Sequence, residues 1–395
     1  MTIPIPSGIV PVKSLTTNEI LYGNRVTSYR WEVLEHSGGT DHLVGELDGV
    51  VTGSESLQWQ LYAAVKGSGN LKVADLPKPK PGLLSIGQVP LSSARLRPVL
   101  LIEGLPEIPF GVFLMAAAPE SWTGTGRVLS LELLDRATVL DQDQVDASYA
   151  VPAGTVILSA VASVIAAAGE HIDVDASVTD ALATAMVWPA GTTKLQIVND
   201  LLAALNYNSL WVDGLGNFQA TPYVLPAQRS LSYEILNGVE RELVDGEQAI
   251  YAQEWTRDRD MFDVPNKVIA VQSASGDAPA LVGEYTNTDP DSPFSYPSRG
   301  RWITKTLDSV ETPDGTDLEV VAFLEAKARQ SLIASSSVQA TVQVKHLPVP
   351  IRVSDVMRFA NTPAGIDARH VVTSISLDAH PLGLMESKLQ EVTDL

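Results

Sequence analysis

Short apolar segments separated by Gly, Pro and Ser residues make up most of the first 135 residues of the chain. Segments of this kind, bounded by turn-forming residues, are typical of β-strands. The strands predicted here are RVTSYRWEVL, HLVGELDGVV, RPVLLIEGL and RVLSLELLD. Apolar and polar residues alternate again in PNKVIAVQ, VQATVQVK and HVVTSISLDA, which begin at Pro265, Val338 and His370. Period two is the spacing of one face of a strand, so both ends of the chain are predicted to be rich in β-structure.

Three other segments have the three- and four-residue spacing of helices. The sequence PAGT precedes the first two of them, at residues 152–155 and 189–192. We interpret this repeat as the reuse of one way to start a helix. The predicted apolar faces are Ile157, Val161, Val164, Ile165 and Ala168; then Leu195, Val198, Leu202 and Leu205; and finally Val320, Leu324, Ala328 and Leu332.

The ends of these helices carry their own local signals. Gly169 is expected to end the first helix. Thr193 with Gln196, and Thr316 with Glu319, have the spacing of a capping box, in which the two side chains bind each other's backbone amides. These signals predict helix starts at residues 193 and 316.

Four stretches are predicted to be loops or turns. Alternating Pro and Lys in LPKPKPG, residues 76–82, indicate a stiff exposed loop. The Pro, Asp, Ser and Gly content of residues 283–301 is expected to prevent any regular element. A hairpin turn is predicted at Gly124–Gly126, and another begins at Asp213 and Gly214 between two short strands.

The composition indicates folded globular domains. Hydrophobic residues make up 45% of the 395 residues and charged residues 19%, which argues against disorder, and the length favours two to four domains. No apolar run approaches eighteen residues, so no membrane-spanning helix is predicted, and the first residues lack the pattern of a signal peptide. The absence of cysteine excludes disulfides, thiolate zinc sites and cysteine nucleophiles.

The charge is strongly negative and unevenly distributed. There are 27 basic and 47 acidic residues, a formal net charge of -20, so the chain is expected to repel nucleic acid and anionic membranes. Residues 137–193 hold seven acids and no Lys or Arg, whereas residues 61–102 hold six bases and one acid. Both segments are explained by solvated loop faces, and a sharper hypothesis is that the opposite patches meet a neighbouring subunit.

The candidate catalytic residues have simpler structural explanations. Asp141 with Asp143, and Asp173 with Asp175, are spaced as carboxylates on one face of a strand, the kind of pair that glycoside hydrolysis needs. Such pairs are frequent by chance in so acidic a chain, and we interpret them as structural or solvated. The sequence contains no G-x-S-x-G elbow, no phosphate-binding loop and no G-x-G-x-x-G motif that opens a helix. No catalytic or cofactor-binding residue is therefore predicted.

The candidate metal and sugar sites are also weak. Asn287, Asp289 and Asp291 have the spacing of the first ligands of a calcium loop, but positions six and twelve of that loop would both be serine. No histidine pair has the spacing of a helical zinc site, and His370 and His380 are interpreted as surface or hydrogen-bonding residues. The remaining candidates are four tryptophans, which are expected to anchor the core: Trp59, Trp122, Trp188 and Trp211. A sugar-binding platform of aromatic rings is the alternative.

The order of four segments resembles the tail hub, or minor tail, proteins of long-tailed phages, which are related to the baseplate hub of contractile-tailed phages. The segments are residues 97–143; the stretch from Trp188 to Tyr223; residues 265–301, with PNKVIAV, DPDSP and SRGR; and PIRVSDVMRF, residues 350–359, near the closing HVVTSISLDAHPLG. Many relatives have Gly where Ser354 stands here. Each motif is degenerate, but all four occur in the family's order, from about residue 20 onward.

The resemblance implies an α+β, mainly β, multi-domain chain with two tail-tube-like β-barrel domains and two peripheral domains. The first tube-like domain is placed at residues 1–140 and a peripheral α+β domain at residues 141–225. The second tube-like domain is placed at residues 226–272 and 337–395, and residues 273–336 are expected to be an inserted peripheral domain with one helix.

The resemblance also implies a non-enzymatic structural hub of the phage tail tip, without cofactor or metal. Such a hub is a homotrimeric ring that continues the tail tube and anchors tip or receptor-binding proteins. Its expected partners are a distal tail or tail-tube protein, the tape-measure protein and tip or fibre proteins, with DNA only in transit and no stable membrane insertion. The expected location is the virion tail tip, after assembly in the host cytoplasm. The alternatives are a tail-associated glycan-binding or cell-wall-degrading protein, and a homologue in a phage-like secretion device.

Overall fold

The computed structural model describes residues 20–21, 23–124, 126–229, 242–244, 250–258, 262–272, 280–310, 316–336 and 340–392. The first ten strands are β1 Thr27–Ser37, β2 Thr40–Leu47, β3 Ser56–Gln60, β4 Gly67–Ala74, β5 Leu83–Leu84, β6 Ala94–Ile102, β7 Ile108–Pro109, β8 Phe113–Ala117, β9 Glu120–Thr123 and β10 Gly126–Asp135. The others are β11 Tyr149–Val151, β12 Met186–Trp188, β13 Trp211–Val212, β14 Phe218–Gln219, β15 Glu242–Val244, β16 Tyr251–Asp258, β17 Lys267–Gln272, β18 Val282–Thr286, β19 Thr304–Val310, β20 Thr341–His346, β21 Val356–Asn361, β22 Ile366–Asp378 and β23 Met385–Glu391. The helices are α1 Thr138–Gln142, α2 Ile157–Ala167, α3 Lys194–Ala204, α4 Tyr296–Arg299 and α5 Asp317–Ser336, with 3₁₀ turns at Ile86–Gln88, Pro226–Gln228 and Thr362–Ala364.

One large sheet contains sixteen strands taken from both ends of the chain. Its main path runs β16-β20-β23-β22-β3-β4-β10-β8-β6-β1-β2-β5. The two β-rich regions join where β22 pairs antiparallel with β3, which places Ile375 opposite Trp59 and Leu377 opposite Leu57. One continuous hydrophobic core lies against this sheet, with buried side chains from Leu21 to Leu389. The chain is therefore mainly β, as predicted.

The described strands of this sheet do not close into a barrel, because the path has two ends, at β16 and β5. Two separate β-barrels would require each β-rich region to pair with itself. In the described residues the β22–β3 ladder instead makes the two regions neighbours in one sheet. The four predicted domains and their boundaries stay a prediction.

Residues 137–220 form a second hydrophobic core around α2 and α3. Ile157, Val161, Val164 and Ile165 are all buried, and Gly169 ends the first helix with a φ of +76°. The Thr193 hydroxyl accepts a hydrogen bond from the backbone amide of Gln196 at 3.1 Å, which is the first of the two capping-box bonds. The antiparallel strand pair β11–β12 and the short hairpin β13–β14 complete this unit, which we call the helical unit.

A third core lies between α5 and a three-stranded sheet ordered β18-β17-β19. The predicted stripe of α5 is confirmed, because Val320, Leu324, Ala328 and Leu332 are all buried. Its capping box is complete: Thr316 N donates to Glu319 Oε2 at 2.8 Å, and Glu319 N donates to Thr316 Oγ1 at 3.4 Å.

The expectation that residues 283–301 contain no regular element is wrong. Most of β18 and the one-turn helix α4 lie within this stretch. The Ser295 hydroxyl caps the start of α4, and Gly300 ends it with a φ of +66°. The β18 segment is held by antiparallel pairing with β17, which a count of turn-forming residues does not detect. None of the helices in the described ranges is long and apolar enough to cross a membrane.

Candidate functional site

The helical unit is joined to the large sheet by a buried cluster of charges. Arg95 lies on β6, Asp41 on β2, Arg136 just after β10 and Glu170 just after α2. Arg95 Nη2 lies 2.6 Å from Glu170 Oε1, and Arg95 Nη1 lies 3.0 Å from Asp41 Oδ1. All four side chains are at most 7% exposed. Two cations face two anions, which offsets the cost of burying each charge.

Arg136 connects three separate segments within this cluster. Its Nε donates to Glu170 Oε2 at 2.8 Å, and a second bond joins Nη2 to the same oxygen. Its Nη1 donates to the carbonyl of Gly216 at 2.8 Å, and its Nη2 also donates to the carbonyl of Gly39 at 3.0 Å. The guanidinium lies 5.2 Å from the centre of the Phe218 ring. One side chain therefore holds the β1–β2 turn, the β13–β14 hairpin and the end of α2 together.

The β13–β14 hairpin packs its backbone directly on the sheet. The amide of Gly111 donates to the carbonyl of Gly214 at 2.8 Å. A side chain at Gly214 would collide with the carbonyl oxygen of Pro109. Asp213 Oδ1 accepts from the amides of Leu215 and Asn217, at 2.9 and 2.8 Å. The predicted turn at Asp213 is confirmed, and its polar side chains close the loop.

A cavity of about 290 Å³ lies where this hairpin, the sheet and the loop before β21 meet. Its polar lining includes Asp135 and Lys66, and the guanidinium of Arg352 lies over the Trp211 ring at 4.7 Å. Its apolar walls comprise Trp59, Phe110, Trp211, Ile351 and Ile375.

The charged groups of the cavity are engaged by the fold. Burial raises the pKa of Asp135 to about 6, although its two oxygens accept from the amides of Gly67 and Ala137. Burial also lowers the pKa of Lys66, whose ammonium donates to the carbonyls of Leu61 and Ala63 and to the Ser209 hydroxyl, at 2.9, 3.4 and 2.9 Å. Three acceptors for three ammonium protons keep Lys66 in its charged form. These contacts indicate that Asp135 and Lys66 stabilise the place where the helical unit meets the large sheet.

The other predicted acids form local turns and ion pairs. Asp143 pairs with Lys194 at 2.5 Å, and Asp175 binds the amide and hydroxyl of Ser177. In the calcium-like stretch, Asn287 Oδ1 accepts a hydrogen bond from the amide of Asp289, and Asp289 Oδ1 accepts one from the amide of Asp291. In the part of the chain that the structure describes, no group of three acids or histidines is placed to hold a metal ion.

The interpretation of Trp122 as a core anchor is wrong, and so is the predicted start of a strand at His370. Trp122 is 73% exposed and anchors no core, whereas Trp31, which the sequence analysis missed, is 3% exposed. Trp31 stands between Arg30 and Glu32, so only the strand alternation marked it as buried. His370 lies within β22, which begins four residues earlier than predicted, and it is fully buried. Its Nδ1 lies 3.0 Å from the carbonyl of Ala368, so its interpretation as a hydrogen-bonding residue is confirmed.

Some charges of the acidic and basic segments pair with each other within one chain. Arg95 from the basic segment pairs with Glu170 from the acidic one, as described above. For this pair, contact with a neighbouring subunit is not needed.

Comparison with known proteins finds likeness only at the level of structure. No family model matches the sequence, and no curated protein sequence matches it. The crystal structure of a tail protein from Neisseria meningitidis MC58 has a TM-score of 0.56 at 14% identity, over 92% of this chain and 97% of that one. The 43 kDa tail protein of prophage MuSo2 from Shewanella oneidensis gives 0.56 at 12% identity, over 91% and 98%. Prophage tail protein gp18 from Listeria monocytogenes EGD-e gives 0.52 at 12% identity, over 91% and 94%. The chain therefore has the fold of phage tail proteins, as the sequence resemblance predicted.

Proposed function

We propose that this protein is a structural hub of a phage tail tip. In this role three copies form a ring that continues the tail tube, anchors tip or receptor-binding proteins and leaves a channel for the genome. The observation that carries the proposal is the likeness in fold to tail proteins over 91–92% of this chain and 97–98% of two of them. A match along the whole length points to a shared role for the whole chain, and not for one grafted domain.

The internal organisation of the chain supports a role as a rigid structural component. Both β-rich regions share one sheet and one core, so they form a single structural unit. The helical unit is fixed to that sheet by the buried ion pairs and by the Gly111–Gly214 backbone bond. The charged groups that line the cavity of about 290 Å³ are held by the same joint, so no residue is proposed to be catalytic or to bind a cofactor.

The proposed partners follow from the position of a hub. They are a distal tail or tail-tube protein, the tape-measure protein and tip or fibre proteins, with the chain located at the virion tail tip after assembly in the host cytoplasm. DNA would meet the protein only in transit. A formal charge of -20 suits this, because a negatively charged channel wall disfavours adhesion of the genome.

The oligomeric state of the purified full chain tests this proposal. We expect light scattering to give a mass three times 42.3 kDa, and negative-stain images to show rings with a central channel. Incubation with host cell wall should release no soluble fragments. A monomer that degrades wall or polysaccharide would overturn the proposal in favour of a cell-wall-degrading protein.

A further inference from the structure

An exposed loop rich in lysine lies at one end of the large sheet. Lys78 and Lys80 alternate with three prolines in residues 76–82, and both side chains are exposed. The loop is fixed in place, because Lys80 N donates to Asp48 Oδ2 at 2.7 Å and Leu83 N donates to the Lys80 carbonyl at 3.0 Å. Neither ammonium group forms an ion pair with any residue that the structure describes. We call these residues the lysine loop.

The loop continues into β5, the last strand of the sheet. Beyond β5 no further strand pairs with it in the described ranges, so β5 is an edge strand of the sheet. Exposed sheet edges promote pairing with other chains, and charges placed beside an edge decide which surfaces approach it. This end of the sheet is therefore suited to contact another polypeptide.

A surface of opposite charge lies on the helical unit. Asp173, Asp175 and Asp180 are all exposed in the segment between α2 and β12. Asp173 has only the imidazole of His171 within ion-pair distance, at 3.0 Å, and Asp175 caps the turn at Ser177. None of the three carboxylates pairs with a Lys or Arg of the described chain. We call these three residues the acidic loop.

Strand β2 keeps the two loops apart within one copy. At its start, a Cβ placed on Gly39 would lie 3.5 Å from the Cβ of His171, beside the acidic loop. At its end, Asp48 holds the lysine loop. The strand is eight residues long, which at roughly 3.3 Å per residue separates the two ends by about 26 Å. The lysine loop therefore lies at one end of β2 and the start of the acidic loop at the other end, and the two loops do not pair with each other.

We propose that the lysine loop of one copy docks against the acidic loop of the next copy. This inference rests on the proposed ring and names the surfaces that form it. Complementary surfaces at two separate places on one chain make a head-to-tail contact, which closes into a ring when the rotation per copy allows. The prolines hold the lysines in position before contact, so little ordering entropy opposes docking. With a net charge of -20 on each copy, a local cationic surface is also where another copy approaches without repulsion.

Charge reversal in the full chain tests this contact. The variant K78E/K80E should raise the concentration at which the trimer dissociates roughly tenfold or more, because two attractions become repulsions. D173K/D180K should do the same, and it leaves the turn at Asp175 intact. The variant that combines all four substitutions should recover most of the trimer, since the two new lysines of the acidic loop again face residues of opposite charge. K327E/K388E is the matched control, with the same charge change at exposed lysines elsewhere.

The readout is the mass by sedimentation at a series of concentrations, with circular dichroism to confirm that each variant is folded. A wild-type trimer that K78E/K80E leaves unchanged would overturn this contact and leave the proposed ring standing. A wild-type monomer would overturn the ring, and this contact with it. Equal weakening by K327E/K388E would show a general effect of charge and would also overturn the contact.

Discussion

At the scale of single residues, the structure places several polar groups where only one protonation state fits. His346 is fully buried on β20. Its Nδ1 lies 2.7 Å from the carbonyl of Leu347, and its Nε2 lies 2.9 Å from the Ser387 hydroxyl. The carbonyl must accept, so Nδ1 carries the proton and Nε2 accepts from serine. Burial lowers the pKa of His346 to about 4, and the positive charge of Arg25 acts in the same direction.

This histidine predicts a loss of stability in weak acid. Its pKa is lower in the folded state than in the unfolded state, so the unfolded chain binds the extra proton. The stability is fully present above pH 6.5 and falls as the pH decreases towards 4, by about 3 kcal/mol from this group. Denaturant unfolding of wild type and His346→Gln at pH 7 and pH 4 measures it. The variant should lose less stability over this range, and identical pH dependence of the two proteins would contradict the assignment.

A second residue-scale prediction concerns the backbone at Ser354. Its φ is +77°, a left-handed conformation that costs a residue with a side chain roughly 1–2 kcal/mol. Its Oγ accepts from Arg229 Nη1 at 2.8 Å. Both Ser354→Gly and Ser354→Ala remove this bond, but only glycine relieves the backbone. We expect Ser354→Gly to be more stable than Ser354→Ala by about 1 kcal/mol in urea unfolding. Equal midpoints would show that the conformation is not strained.

Single residues were predictable where their partners are near in sequence. Thr193 and Thr316 find theirs three residues away, and both caps were expected from the pattern alone. Arg136 and Glu170 are 34 residues apart, and nothing local marks either as buried. A long-range ion pair in an acidic chain leaves no pattern in a single sequence. The buried cluster was therefore missed.

At the scale of elements, α2, α3 and α5 were expected because each carries a regular apolar face and a start or stop signal. Their packing partners were not expected. The short strands β13 and β14 are held by the Asp213 turn and by the backbone contact with Gly111, and the second of these lies on a different unit. Local patterns predict an element, whereas its place in the molecule depends on contacts distant in sequence.

The joint between the helical unit and the sheet predicts a large effect of one substitution. Arg136→Ala leaves the carboxylates of Glu170 and Asp41 with one guanidinium in place of two. We expect a loss of 3–5 kcal/mol in the free energy of unfolding, roughly the cost of breaking a buried ion pair.

Two variants serve as controls for that measurement. Arg358→Ala removes the half-exposed pair with Asp367 and should cost less than about 1 kcal/mol. Arg136→Ala combined with Glu170→Gln should recover part of the loss, because one uncompensated charge is gone. If Arg136→Ala costs no more than Arg358→Ala, the cluster does not hold the joint.

At the scale of the whole molecule, the pairing of β22 with β3 decides the architecture. Ile375 and Trp59 are more than 300 residues apart, and the alternation of each strand is satisfied by many partners. Composition and periodicity therefore predicted a mainly β chain but not one continuous sheet. The resemblance to tail hub proteins predicted the likeness in fold to phage tail proteins, because it uses the order of degenerate motifs along the entire chain, whereas its two barrels and four domains stay predictions.

The most direct test of the proposed function is the position of this protein in intact particles. A short epitope tag added to the chain in its phage, followed by gold-labelled antibody and electron microscopy, locates it. For a structural hub we expect label at the tail tip, on the tail axis, in every particle, with tailless or tipless particles when the gene is deleted. Label on the head or on the outside of the tail shaft, or tails that assemble normally without the protein, would contradict a structural hub.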